Sequence, residues 1–192
     1  AFVTRTAFMI SCEKGHKDIV KLLLDHPNSN IDLNAKDQRN YTAFMMACKE
    51  GHKGVVQLLL DHSDQNIDLN VRVHGFHFSG FTAFMWACIN GHKDVVKLLL
   101  DNYDRIELNA RCTNYGQTAF MKACQEGHKD VVQLLLGYSD RIELNAKDDN
   151  GTNALMLACN NGHKDVVKLL LDNFNIEEKL LPKFFLNWIQ SK

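Results

Sequence analysis

Apolar and polar positions along this chain fall into a block that returns five times. Each block opens on a polar residue followed by a short apolar run: Thr6-Ala7-Phe8-Met9, Thr42-Ala43-Phe44-Met45, Thr82-Ala83-Phe84-Met85, Thr118-Ala119-Phe120-Met121 and the variant Asn153-Ala154-Leu155-Met156. The run continues to a cysteine, and its small and large apolar residues sit at helical spacing, so the pattern predicts a short helix capped by the Thr hydroxyl. Gly-His follows at Gly15-His16, Gly51-His52, Gly91-His92, Gly127-His128 and Gly162-His163. Glycine tolerates the left-handed conformation that ends a helix. A second helix is predicted next, as in Lys129–Leu136, apolar on more than one side and therefore suited to lie between neighbours. A polar stretch comes after it, then an extended Ile-x-Leu-Asn-Ala leading into a turn.

The histidines of the Gly-His pairs are 36, 40, 36 and 35 residues apart, and Thr82–Arg111 matches Thr118–Lys147 at 22 of 30 positions. Helices this short are marginal alone in water, so the blocks must gain stability by stacking. The motifs resemble ankyrin repeats. The Thr-Pro-Leu-His-x-Ala head of that family stands here as Thr-Ala-Phe-Met-x-Ala, followed by Gly-His-x-x-Val-Val-x-Leu-Leu-Leu. The resemblance covers about residues 6–172 in five units, with two departures. Ala and Phe-Met replace the family's Pro and His, which exchanges a family hydrogen bond for apolar packing, and the units exceed the usual ~33 residues. It implies an all-α repeat solenoid of helix-turn-helix pairs with β-turn or hairpin fingers. The expected organisation is a repeat domain over 1–172, with units of approximately 6–41, 42–81, 82–117, 118–152 and 153–172, and a C-terminal capping or docking segment over 173–192.

Composition narrows the function. Lys plus Arg number 22 and Asp plus Glu 23, for a net charge of -1, without the basic footprint of a nucleic-acid or polybasic membrane binder. No apolar run approaches the ~20 residues of a membrane span. A soluble protein with no nucleic-acid or membrane partner is expected, working as a monomer. Five of the six cysteines (Cys12, Cys48, Cys88, Cys124, Cys159) share one repeat position. Stacked helices lie about 8–10 Å apart, too far for equivalent thiols to bridge. They read as small buried apolar residues, and free thiols in this number favour the cytoplasm or nucleus. Cys88-x-x-x-His92 recurs in every unit, which is scaffold behaviour and not that of a single catalytic dyad. His74, His77 and Cys112 form a weak zinc candidate with no Cys-x-x-Cys beside it. No phosphate loop, carboxylate pair or nucleophile elbow accompanies them, so neither an enzyme nor a cofactor is expected.

Function is expected where the copies differ. From the Asn-Ala or Asn-Val junction to the next cap is 7 residues from Ala35 to Thr42, 8 from Ala110 to Thr118 and 7 from Ala146 to Asn153, but 11 from Val71 to Thr82. Insertions in a solenoid map to loops on one face, often the binding face. The aromatics of the long finger 71–81, Phe76, Phe78 and Phe81, either anchor a partner or fold back as a minicore. In the resemblance, the slot before Ala-Cys faces the concave groove, and it holds Ile10, Met46, Trp86, Lys122 and Leu157. Trp86 and Ile89 stand three residues apart on one helical face. The candidate binding patch is therefore Met46, Phe76, Phe78, Phe81, Trp86 and Ile89, with Lys122 and Tyr115 extending it and extra core packing as the alternative. Tyr41 adjoins a neighbouring turn, and Arg39, Arg72 and Arg111 form a row suited to an acidic partner.

The ends are less informative. Residue 1 is Ala and the first motif begins almost at once, so the chain is expected to be a piece of a longer protein whose upstream sequence covers Phe8 and Ile19. After Glu177 the repeat is lost, and Pro182, Phe184, Phe185, Trp188 and Ile189 predict a capping helix, with a partner- or membrane-docking helix and an F-box opening at Leu181-Pro182 as alternatives. The function expected is a non-catalytic scaffold that binds an unidentified protein partner through the groove and long finger. The alternatives are a structural spacer of a larger protein or, as the resemblance implies for Asn34, Asn70, Asn109 and Asn145, a substrate of an asparaginyl hydroxylase.

Overall fold

Each unit begins where a side-chain oxygen takes up a free helix amide. In the computed structural model, which describes residues 5–27, 30–62, 67–75 and 78–173, the hydroxyls of Thr6, Thr42, Thr82 and Thr118 accept the amides of Met9, Met45, Met85 and Met121 at 3.2–3.4 Å. Asn153 Oδ1 does the same for Met156 at 2.9 Å. These caps start five seven-residue helices: α1 (Ala7–Glu13), α3 (Ala43–Lys49), α5 (Ala83–Ile89), α7 (Ala119–Gln125) and α9 (Ala154–Asn160). Each pairs with a longer helix, respectively α2 (Lys17–Asp25), α4 (Lys53–Asp61), α6 (Lys93–Leu100), α8 (Lys129–Leu136) and α10 (Lys164–Asn173). The first helices pack in one row, α1 to α9, and the second helices in another. The fold is an all-helical repeat solenoid, and no strand forms among the described residues; one isolated bridge joins Lys147 and Asn153.

The core runs between the rows. Phe44, Phe84 and Phe120 from the first helices and Leu59, Leu99 and Leu135 from the second are fully buried, with Val-Val pairs such as Val95-Val96 beneath them. Burial of such a side chain contributes roughly 1.5–3 kcal/mol. Each inner second helix packs on its own unit's first helix and on the second helices either side, so it is apolar on more than one face, as the sequence pattern predicts.

Successive units are joined by histidine. Nε2 of His52, His92, His128 and His163 lies 2.8–2.9 Å from the carbonyl oxygens of Glu13, Lys49, Ile89 and Gln125, each at or near the end of the preceding unit's first helix. The glycine just beyond makes room. A Cβ on Gly91 would sit 2.5 Å from His128 Nδ1, and Gly91 also holds φ at +72°. Helix termination and ring clearance thus fall on one residue.

The Ile-x-Leu-Asn-Ala segment, expected to be extended, closes as a tight turn. The Ala35, Ala110 and Ala146 amides donate to the carbonyls of Asp32, Glu107 and Glu143 at 3.2 Å. In the first two units a carboxylate tightens the turn further, with Asp32 and Asp68 accepting the amides of Asn34 and Asn70. Side-chain acceptors two residues back compete with extended pairing. The fingers that follow share one base: Asp37 and Tyr41, Val73 and Phe81, Cys112 and Gln117, Asp148 and Thr152 are each joined by an amide-to-carbonyl bond. Neighbouring fingers also touch, His74 donating to the Arg39 carbonyl, Thr113 to that of Ser79 and Asp149 to that of Tyr115.

The glycine geometry separates two costs. Gly162 has φ +75° but no atom within 4 Å of its built Cβ. Gly162→Ala is expected to lose only the backbone term, about 1–2 kcal/mol. Gly91→Ala meets the His128 ring as well and is expected to lose at least about 1 kcal/mol more. Urea unfolding of the two variants beside the parent checks this, and equal losses would mean that the ring moves aside freely.

Candidate functional site

The long finger is built on buried valines. Val71 and Val73 anchor its base in the core, and the amides of Val73 and Gly80 close it through the carbonyls of Phe81 and Val73. Gly80, at φ +81°, lets the chain pass the next finger, because a Cβ there would meet the Thr113 hydroxyl at 2.5 Å and its amide nitrogen at 2.6 Å. The finger therefore bends inward and delivers Phe78 and Phe81 to α5.

An aromatic cluster results. Trp86 has Phe78 at 4.8 Å between ring centroids, Phe81 at 5.1 Å and Tyr41, from the preceding finger, at 5.9 Å. Phe78 and Phe81 meet edge to face at 5.4 Å. Two lysines flank the rings. Lys49 Nζ lies 5.5 Å from the Trp86 ring, and Lys122 Nζ lies 5.5 Å from Phe81 and 5.7 Å from Tyr115. Such contacts favour a cation by its attraction to the ring face.

The placement corrects part of the sequence expectation. Met46, Phe81, Trp86 and Lys122, expected on an open face, are buried. The alternating pattern of the finger does not say which face turns inward; Val73 and Phe81 fix that, and Tyr41 covers Trp86 from the other side. The minicore alternative describes these residues better than a fully open patch. Ile89 is half-buried. Phe78, 43% exposed, and Tyr115, 52% exposed, remain at the surface. Phe76 and His77 lie outside the described residues, as do Pro182 and the rest of the segment read as a cap. Arg72 and Arg111 are also spoken for: Arg72 pairs with Glu107 at 2.7 Å and Arg111 with Glu143 at 3.6 Å, each also bonding a neighbouring carbonyl. They brace fingers instead of facing an acidic partner. Asn70 and Asn109, expected as hydroxylation targets, have both side-chain polar atoms bonded to the next unit.

Two polar features were not anticipated. The indole nitrogen of Trp86 is buried without a hydrogen-bond acceptor, and so is Gln117 Oε1 without a donor. Gln117 Nε2, on a buried side chain, donates to the buried Asp148 at 3.1 Å. Among the described residues, no carboxylate lies within ion-pair distance of the Lys122 ammonium, which has the rings of Phe81 and Tyr115 as neighbours. Burial holds Lys122 below the usual lysine range, partly offset by Cys112, Glu126 and Asp148. A buried charge left without a full counter-ion costs stability. Lys49 could have been noticed in sequence, since it fills the slot after Ala-Cys beside Trp86.

Thiol chemistry stays inside the scaffold. All six cysteines are free and buried. Burial pushes the Cys12 thiol up to about 12 and the Cys159 thiol up to about 11, and raises Cys48, Cys88 and Cys124 as well. A protonated, enclosed thiol is a poor nucleophile. His92, the sequence neighbour of Cys88, spends its ring on the Lys49 carbonyl. Among the described residues, no group of three or more His, Cys, Asp or Glu is placed to hold a metal, and no helix is long and apolar enough to cross a membrane.

Overlapping matches to the family model for ankyrin repeats (3 copies) run over residues 3–73, 29–112, 65–148 and 106–180. The chain belongs to the ankyrin-repeat family. No curated protein matches it. Ankyrin repeats generally serve as protein-binding modules, and a non-catalytic scaffold is typical of them. The ankyrin architecture leaves the third and fourth units distinct in this chain, because there the longest finger, an aromatic cluster and a buried lysine with no ion-pair partner among the described residues meet.

Two measurements check this geometry. In a Trp188→Phe background, Trp86 emission is expected to be blue-shifted and resistant to iodide; strong quenching would contradict its burial. For Lys122 the folded value lies below the unfolded one, so between them the unfolded chain binds more protons and stability rises with pH. Lys122→Met is expected to flatten that rise toward alkaline pH without lowering stability at pH 7, and a clear loss at pH 7 would show that the charge stabilises the fold.

Proposed function

We propose that the chain is a non-catalytic binding module that takes a partner protein on the groove and long finger of its third and fourth units. The observation that carries this is the pair of exposed aromatics, Tyr115 beside the Lys122 ammonium and Phe78 against Phe81 and Trp86, with no carboxylate among the described residues within ion-pair distance of that ammonium. Rigid aromatic anchors next to a desolvated cation are the groups on which binding energy concentrates. Phe78 and Tyr115 make the direct contact in this reading, Lys122 sets orientation, and Met46, Phe81, Trp86 and the half-buried Ile89 hold the surface from beneath. Phe76, on the same finger, belongs to the proposed contact by sequence. The buried, unbridged thiols suit a reducing compartment, the cytoplasm or nucleus.

A second reading has its own support. Burial of Phe81 and Trp86 means that most of the finger's aromatic surface is satisfied internally, as in a structural spacer of a larger protein. Affinity capture with the parent and with Phe78→Ser, Tyr115→Ser separates the two, with thermal unfolding of both run alongside. For a binding module, each substitution is expected to weaken partner retention about tenfold while the variant stays folded. Equal retention by parent and variant would sink the patch, and absence of any specific partner would favour the spacer.

A further inference from the structure

The slot before Ala-Cys is apolar in four units, as Ile10, Met46, Trp86 and Leu157, and charged in one, as Lys122. The scaffold therefore needs only hydrocarbon there. Lys122 is nevertheless only 7% exposed, buried as Met46 and Trp86 are. A cation in such a place destabilises the fold unless an anion meets it. Among the described residues no anion does. Asp148 Oδ1 accepts the amides of Asn150 and Thr152 at 3.0 and 2.8 Å, and its Oδ2 accepts Gln117 Nε2 at 3.1 Å. Glu126, four residues on from Lys122, is exposed. Both carboxylates act on the ammonium through space, without a hydrogen bond to it.

The ammonium is also within reach. Two polar side-chain atoms are sealed from solvent without a partner among the described residues, Trp86 Nε1 and Gln117 Oε1, and Lys122 Nζ is not one of them. Its neighbours are the ring of Phe81 at 5.5 Å and that of the exposed Tyr115 at 5.7 Å. Phe78, also exposed, packs edge to face on Phe81. Lys49, the other lysine at the cluster, already has the Glu50 carboxylate at 2.6 Å. What the site lacks is one anion in direct contact with Lys122.

We propose that Lys122 receives one acidic side chain of the partner: an aspartate or glutamate carboxylate lies on the ammonium while apolar residues beside it in the same segment cover Phe78 and Tyr115. This pairing rests on the binding role proposed above and adds the partner's chemistry. Charge decides between one carboxylate and a more highly charged group. A phosphate or a run of acids carries more charge than one ammonium balances, and Asp148 and Glu126 repel the excess. The rings of Phe81 and Tyr115 lower the local dielectric, which strengthens a direct ion pair and makes it selective.

Selection of a displayed random-peptide library on the full chain and on its Lys122→Met variant tests the pairing. Methionine fills the same slot at Met46, and Lys122→Leu, after Leu157, serves as a second variant. Peptides enriched on the parent and released by Phe78→Ser, Tyr115→Ser are expected to share one Asp or Glu among apolar residues. Those enriched on Lys122→Met are expected to lack it. For the best parent peptide, exchanging that acid for its amide is expected to weaken binding about tenfold to the parent and less than about twofold to Lys122→Met, read by titration calorimetry. Enrichment on the parent without a shared acid would overturn the pairing and leave the binding role standing. An equal loss on both proteins, or tighter binding with phosphoserine in place of the acid, would overturn it as well. A library that yields nothing dependent on Phe78 and Tyr115 would overturn the binding role and the pairing together.

Discussion

The histidine ring that reaches back to a carbonyl of the preceding unit fixes the relation between neighbouring units, and the remaining contacts are built around that relation. The bond needs a helix that has already ended, so that its last carbonyls are free, and a gap wide enough for an imidazole. One glycine provides both. With the ring seated, the first helices lie side by side at a constant offset, the phenylalanines and methionines interleave, and the leucines of the second row close the other side. None of the helices would persist alone at this length. Their stability belongs to the junctions.

Much of this was legible in the residues. The caps, the helix pairs and the burial of Cys12, Cys48, Cys88, Cys124 and Cys159 follow from residue type and spacing, because each depends on local backbone chemistry repeated five times. The histidine bond was less legible: Gly-His reads as a stop signal, and nothing in one unit shows that the ring belongs to the unit before. The same applies to Asn70 and Asn109, whose partners lie 35 to 37 and 32 to 34 residues further on. Interactions between units leave the repeat pattern intact and so cannot be read from its variations.

The orientation of the long finger was not legible for a related reason. The insertion, its aromatic content and its position before Trp86 mark where the surface departs from the scaffold. Orientation is another matter, since a finger of alternating residues presents either face equally well until its base is anchored. Val73 and Phe81 anchor it inward, Tyr41 arrives from the neighbouring finger, and the open face shrinks to Phe78 and Tyr115. Lys122 was expected to extend the open patch; it is buried instead, with its ammonium near the rings of Phe81 and Tyr115.

The bonded histidine and carbonyl are separated along the chain by 39, 43, 39 and 38 residues, yet the bond itself stays at 2.8–2.9 Å. Contour length and pitch are therefore independent quantities in this molecule. The largest change in length, the four extra residues of the long finger, lies outside the path that sets the rise from one unit to the next. A finger can lengthen, shorten or change its tip while the ramp of helices beneath keeps the same step, so the recognition surface is free to diversify on a frame of constant geometry.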